Sequence, residues 1–398
     1  MEKDWKLMSP LGVSDVLEGD CALKNRIETE VAVALDAFGY NEIQTPTFEY
    51  FDVFADDLSI SSEDVIKFID KSGRVLALRP DYTTAISRLV ASHKTEAPLP
   101  LRLRYRGNIF RGSESYTEAR QREFTQAGAE LFGAEGPEAD AEIIIATISA
   151  LLKCGLTEFQ LELGHTDFLR GIVEGRLAED ELAELTELID RKFILGIEEF
   201  CSREGLDSDT SALLSEMPNL YGDFDLAEKV AERKLPQRSR KAIENLLEVW
   251  AAIKDHGYEK YISLDLGLVR SFKYYTGIVF KGLTYGVAFP VCGGGRYDGL
   301  ADRFGVHMPA TGVAIWTDRV MTALIRQKQH PTRPEIDLLV WYAGDDRAAA
   351  YALASEQREK GLRVLCERHV DFDDAARLNR YMSEHGINQA IKAGGGCK

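Results

Sequence analysis

The sequence predicts an α+β protein with a helical insertion and a small C-terminal α/β unit. Three observations carry that expectation. Residues 101–111 alternate Leu101, Leu103 and Tyr105 with Arg102, Arg104 and Arg106, the period-two pattern of a half-buried strand, and a further strand-like run follows at 122–132. Residues 167–260 then turn helical and rich in Glu and Leu, before glycine-punctuated strand sequence returns at 261–296. Finally, residues 336–392 alternate short strands and helices, the pattern of a small α/β unit.

Each element has a local reason. Leu23, Ile27, Val31, Ala34, Leu35 and Phe38 fall at helical spacing, so residues 20–38 read as an amphipathic helix that Gly39 stops. An extended run from Tyr40 ends at Pro46. The Lys71-Ser72-Gly73 turn introduces a strand at 74–79, and a polar loop at 112–120 joins the strands at 101–111 and 122–132. A helix is expected at 137–153 and another from Thr317 to Gln327. Pro331–Pro334 reads as a linker. Beyond it come a strand (336–342), a helix (346–360), a strand (362–366), a helix (373–385) and a strand (387–392), with no internal repeat.

Composition narrows the function. The 398 residues allow two or three domains, and 45% apolar content is that of an ordinary globular protein. Asp plus Glu number 65 against 48 Lys plus Arg, a net charge of −17 that argues against a dedicated nucleic-acid binder. The six cysteines are scattered without C-x-x-C spacing or clustered histidines, which suggests neither a zinc site nor a disulfide framework. The first residues lack the apolar core of a signal peptide, and the longest apolar stretch, around Ile143 to Leu152, is too short to span a bilayer. A soluble protein of the cytoplasm is expected, with no metal and no cofactor.

Several motifs then fall in one order. Arg104 to Arg111 (Arg-Tyr-Arg-Gly-Asn-Ile-Phe-Arg), followed by Gln121 to Glu130, resembles the second signature motif of class II aminoacyl-tRNA synthetases. The helix and strand ending in Thr45-Pro46 resemble the first motif, which in that class builds a dimer interface. Gly312 to Arg319 (Gly-Val-Ala-Ile-Trp-Thr-Asp-Arg) resembles the third. Arg79-Pro80-Asp81-Tyr82-Thr83 sits where the histidyl branch reads Arg-Pro-Glu-Gly-Thr. Val269 to Tyr275 and Gly293 to Asp298 match the two histidine-specific motifs of that branch. The match covers roughly residues 8–325. It implies a class II synthetase-like antiparallel sheet flanked by helices over 1–330, with the insertion at about 167–260. Residues 335–398 resemble a truncated anticodon-binding domain.

A free amino acid needs acceptors for its ammonium, a cation for its carboxylate and a shaped polar pocket for its ring. Asp81, Thr83, Gln126 and Glu130 can supply the acceptors, with Glu130 reaching toward an imidazole. Arg270 and Arg111 can supply the cation, and Tyr274 with Tyr275 a flat wall and hydroxyl partners. By resemblance these positions are the histidine site of the synthetase.

The departures from a working synthetase are specific. Trp316 stands where the histidyl enzymes usually have glycine; it either fills the adenine slot or packs into the core. Asp318 stands in the place of glutamate. The loop after Arg111 reads Gly112-Ser113-Glu114-Ser115-Tyr116-Thr117-Glu118-Ala119, one residue longer than the family pattern and more acidic. Lys273 replaces an aspartate, while Arg270, the position of the catalytic arginine, is kept. From 335 to 398 there are 9 basic and 11 acidic residues, an unpromising surface for reading an anticodon.

These features resemble the histidyl-tRNA-synthetase-like regulatory subunits of ATP phosphoribosyltransferase. That family implies a chain with no catalytic residues of its own, serving the first step of histidine biosynthesis. It also implies that the short-form catalytic subunit needs the chain for activity, that L-histidine binds it to feed back on the pathway, and that a homodimer core sits within a hetero-octamer. An active histidyl-tRNA synthetase with an unusual ATP pocket, or a stand-alone histidine-binding module, would share much of this sequence. Among smaller features, His165, at a predicted strand end, reads as a loop histidine rather than a catalytic one; the Glu-rich stretch at 178–190 reads as an exposed face ahead of a partner contact, and Gly293-Gly294-Gly295 as a place of close backbone approach ahead of a phosphate cradle.

Overall fold

The computed structural model describes residues 5–55, 62–112, 121–269, 275–328 and 335–394. The Pro331–Pro334 linker, most of the acidic loop after Arg111, and Lys273 lie outside the described residues. The chain divides into two compact units, one of Met1–Asp15 with Lys24–Gln329 and one of Val16–Leu23 with His330–Lys398.

In chain order the elements begin with α1 (Glu18–Ala37), β1 (Asn41–Glu42), β2 (Phe48–Tyr50), α2 (Asp52–Ala55), β3 (Lys67–Ile69), β4 (Val75–Leu78) and α3 (Thr83–His93). Next come β5 (Leu101–Phe110), β6 (Glu123–Phe132), α4 (Pro137–Lys153) and β7 (Phe159–His165). The insertion holds α5 (Thr166–Ile172), α6 (Glu179–Asp190), α7 (Ile194–Arg203), α8 (Ser208–Glu216), β8 (Tyr221–Gly222), α9 (Asp225–Ala231) and α10 (Gln237–Asp255). β9 (Ile262–Asp265), β10 (Ile278–Thr284), β11 (Cys292–Arg296), β12 (Ala310–Trp316) and α11 (Thr317–Arg326) complete the first unit. The C-terminal residues form β13 (Ile336–Tyr342), α12 (Arg347–Glu359), β14 (Val364–Arg368), α13 (Ala375–His385) and β15 (Ile387–Lys392).

Nine strands form the main sheet, in the order β1-β5-β6-β12-β11-β10-β7-β9-β8. The six strands from β5 to β7 in that order pair antiparallel, as the sequence predicts. The margins depart from it: β1 runs parallel to β5, and β7 parallel to β9. Parallel neighbours need a long crossover between them. The helical insertion is the crossover that joins β7 to β9, so the sheet is mixed rather than purely antiparallel.

The predicted strand at 101–111 owes its alternation to two different faces. Leu101, Leu103 and Tyr105 are buried. The intervening arginines pair on the other side, Arg102 with Glu142 of α4 at 2.6 Å, and Arg104 with Asp36 of α1 at 2.6 Å and Glu42 at 2.8 Å. β6 lies inside the sheet and is buried along nearly its whole length, including Thr125, Gln126 and Glu130. α4 starts with Pro137 in its first turn after Gly136, whose φ of 85° a side chain would resist. In α10, Ala242, Ile243, Leu246, Val249 and Ile253 form the buried stripe of an amphipathic helix.

The C-terminal unit is a parallel three-stranded sheet of order β14-β13-β15. Leu338, Val340 and Tyr342 pack with Ala350 and Ala354 of α12, while Leu339 and Trp341 pack with Leu378, Tyr381 and Met382 of α13. Alternate residues of β13 therefore serve opposite faces. Of the aromatic residues here, Trp341, Tyr342 and Phe372 are buried, which leaves few for stacking on a nucleic acid. No described helix is long and apolar enough to cross a membrane.

Candidate functional site

The site is built on one face of the main sheet. Because side chains alternate along a strand, Gln126, Gly128 and Glu130 of β6 share a face. Across the β6–β12 pairing they stand opposite Trp316, Ala314 and Gly312. β11 then places Gly293 opposite Ala314 and Gly295 opposite Gly312. The floor is therefore almost bare backbone, as expected for Gly293 to Gly295. A Cβ at Gly128 would run into the carbonyl of Val313, and one at Gly312 into the carboxylate of Glu130.

Walls rise around this floor and enclose a cleft of about 440 Å³, part of it open to solvent. Asp81 and Thr83 reach the cleft from the start of α3, Arg111 from the end of β5, and Tyr275 from just before β10. With Gln126 and Glu130, six of the eight residues expected to bind histidine line one cavity. The other two, Arg270 and Tyr274, lie outside the described residues.

Glu130 is the electrostatic centre of the cleft. Its carboxyl is buried, and burial pushes its pKa up to about 8 against the lowering effect of two donors. Those donors are Thr83 Oγ1, 2.8 Å from Oε1, and the Tyr297 hydroxyl, which bonds Oε2. The nearby Asp81 carboxylate pushes in the same direction as burial. A cationic or hydrogen-donating ligand group beside Glu130 would favour its ionised form. Asp81 also accepts from the backbone N–H of Thr84 at 2.9 Å and so fixes the first turn of α3.

Some motif residues prove to be framework. The buried Arg79 guanidinium donates to the carbonyls of Asn108 (2.8 Å), Thr45 (2.9 Å) and Pro46 (3.1 Å) and lies 4.2 Å from the Tyr82 ring. Tyr82, standing where the histidyl branch has glycine, is buried and stacks on Tyr105 at 4.4 Å. Its hydroxyl donates to Arg106 O at 3.1 Å and fills the space that a side chain at Gly107 would take. Arg296 is 8% exposed and is held by Asp140 at 3.0 Å and Asp298 at 3.1 Å, so it ties β11 to the start of α4.

Arg111 lines the cleft, its Nε 3.4 Å from Pro80 O and its guanidinium 5.6 Å from the Phe124 ring. Trp316 packs its indole against the core cluster around Tyr105 and Tyr297, the core outcome weighed for it, and also lines the cleft. Asp318 accepts from the backbone N–H of Thr125 at 2.9 Å, fastening α11 to β6. His165 is not a loop residue. It ends β7 and caps α5, its Nδ1 accepting from Asp167 N at 3.1 Å, and burial holds its pKa down to about 4.

Tyr297 was missing from the expected site. The signal was present in strand parity, since 293, 295 and 297 alternate onto one face and the first two are the floor glycines. Among the described residues no group of three or more His, Cys, Asp or Glu is placed to hold a metal ion.

Comparison with known proteins shows the family and the fold. The family model of histidyl-tRNA synthetase matches residues 12–320. The ATP phosphoribosyltransferase regulatory subunit of Acetivibrio thermocellus is 39% identical over 391 residues, covering 98% of this chain and 93% of the relative. Its counterpart from Thermoanaerobacter pseudethanolicus is 38% identical over 374 residues, 92% of this chain and 97% of the relative. A crystal structure from Bacillus halodurans, described as an ATP phosphoribosyltransferase regulatory subunit/histidyl-tRNA synthetase, superposes with a TM-score of 0.87 at 27% identity, covering 99% of this chain and all of that one. The histidyl-tRNA synthetase of Nostoc sp. PCC 7120 superposes with a TM-score of 0.81 at 18% identity, covering 97% of this chain and 92% of that one. That likeness carries the fold alone, which is class II aminoacyl-tRNA synthetase-like.

Proposed function

The chain belongs to the ATP phosphoribosyltransferase regulatory subunit family, histidyl-tRNA-synthetase-like in its core, and on that premise we propose that it regulates the first step of histidine biosynthesis by binding L-histidine. The catalytic ATP phosphoribosyltransferase chain is its partner, needs it for full activity and receives the histidine signal through it. A homodimer built on the class II core forms the centre of a hetero-octamer in the cytoplasm. The chain itself carries out no reaction.

The observation that carries this proposal is the composition of the cleft. Asp81, Thr83, Gln126 and Glu130 offer acceptors, Arg111 a cation and Tyr275 an aromatic wall, all around a floor of bare strand. Such a set suits a small zwitterion with a donating ring. Trp316 stands at one end of the same floor, where the resemblance implies that a synthetase carries glycine. Feedback then requires that histidine bind the active and inhibited assemblies unequally, typically by about 1–3 kcal/mol.

Calorimetric titration of the whole chain with L-histidine, and separately with ATP, is the direct test. Saturable histidine binding that Gln126→Leu weakens at least tenfold, with no ATP binding, supports a sensor. ATP binding with histidine-dependent pyrophosphate exchange would instead make the chain an active synthetase. Addition of the catalytic subunit tests the regulatory half: histidine should inhibit the complex and Gln126→Leu should relieve that inhibition.

A further inference from the structure

The cleft has two chemically opposite ends. The pairing of Glu130 with Gly312 and of Gln126 with Trp316 puts the carboxyl of Glu130 at one end of the floor. Trp316 enters from the other, its backbone paired with Gln126, four residues from Glu130 along β6. The indole is firmly held. The Arg319 guanidinium lies 4.4 Å from its ring, and Arg319 Nη1 donates to Pro290 O at 2.9 Å. On the side of β11 the absent side chain of Gly293 makes room for the benzo edge, since a Cβ there would stand 3.3 Å from Cη2.

The indole Nε1 is nonetheless buried and has no hydrogen-bond partner. Burying an N–H without a partner is unfavourable, and an indole nitrogen can only donate. An acceptor on a bound ligand would satisfy it. The far end already answers a ligand's donors, with Glu130 buried among Thr83 and Tyr297. At the Trp316 end the unmet demand is for an acceptor.

We propose that Trp316 positions the ligand by donating its indole N–H to the α-carboxylate, so that the site selects a free amino acid over one whose carboxyl is reduced, esterified or amidated. This rests on L-histidine being the ligand. The ring both makes the bond and lines that end of the cleft.

The test pairs one side-chain change with one ligand change. L-histidine and histidinol, in which a hydroxymethyl replaces the carboxylate, are titrated into the wild-type chain and into W316F. Loss of a hydrogen bond to a charged group should weaken histidine on the order of 10- to 100-fold in W316F. Histidinol binding should stay within about twofold. Equal losses for both ligands, or no loss for either, overturn the role of Trp316 while leaving histidine binding intact. A wild-type chain that ignores histidine defeats the sensor itself, and the wild-type curve alone reveals that. An independent measurement is ¹⁵N indole NMR of the wild-type chain, which has four tryptophans. The Trp316 signal, assigned by elimination with Trp5→Phe, Trp250→Phe and Trp341→Phe, should shift with histidine and stay still with histidinol. No shift with histidine overturns the proposal even if W316F fails to fold.

Discussion

Glu130 stands directly across the β6–β12 pairing from Gly312, and its carboxylate fills the space a side chain at 312 would need. A strand glycine is normally a weakness, for it packs nothing and costs backbone entropy. Here it lets a buried acid lie flat against the floor of the cleft. Gly312→Ala should displace that acid, lower stability by about 1–3 kcal/mol and weaken histidine binding at least tenfold. Urea unfolding and calorimetry measure both effects. Gly299→Ala, at a position with open space around it, serves as the control and should stay within about 0.5 kcal/mol of wild type.

The same carboxyl makes stability depend on pH in a defined direction. Its folded pKa, about 8, lies above its ordinary value of 4.5, so the folded chain holds a proton that the unfolded chain releases. The stabilisation is complete below pH 4.5 and is lost as pH rises through 8, with a slope of at most about 1.4 kcal/mol per unit. Glu130→Gln cannot titrate. The stability difference between the two proteins should therefore shift steadily toward the variant between pH 5 and 8. Parallel stability curves over that window would show that Glu130 is ionised throughout.

Arg296 and Asp140 form an ion pair inside the first unit, 8% and 1% exposed. Removing one partner leaves the other charge buried and uncompensated. Arg296→Ala should cost about 3–5 kcal/mol, whereas the double change Arg296→Met with Asp140→Leu should recover most of that loss. A urea double-mutant cycle separates the two cases. Equal losses in the single and double variants would mean that the pair, not the burial of a lone charge, supplies the stability.

The helix at 137–153 illustrates what sequence could foretell. Its proline at the first turn and its dense apolar content are local signals, and local signals survive without knowledge of the fold. The β5 alternation was readable for the same reason. The parallel partnership of β7 with β9 was not, because its two strands are separated by the whole helical insertion and no local pattern encodes the choice of partner. At the site, Asp81, Thr83, Gln126 and Glu130 could each be singled out from their motifs. The bond from Thr83 to Glu130 could not, since it joins residues from separate elements.

By itself, then, the sequence determined the kind and extent of most elements, the α+β class and the chemistry available to one cleft, because those follow from periodicity and from which side chains are present. Only the tertiary structure decided which motif residues face that cleft. It turned Arg79 and Arg296 into framework, brought Tyr297 onto Glu130, and left the Trp316 N–H buried without a partner. The physical reason is that a side chain's role depends on its burial and its partners, and both are set by strand pairing between residues far apart in the chain.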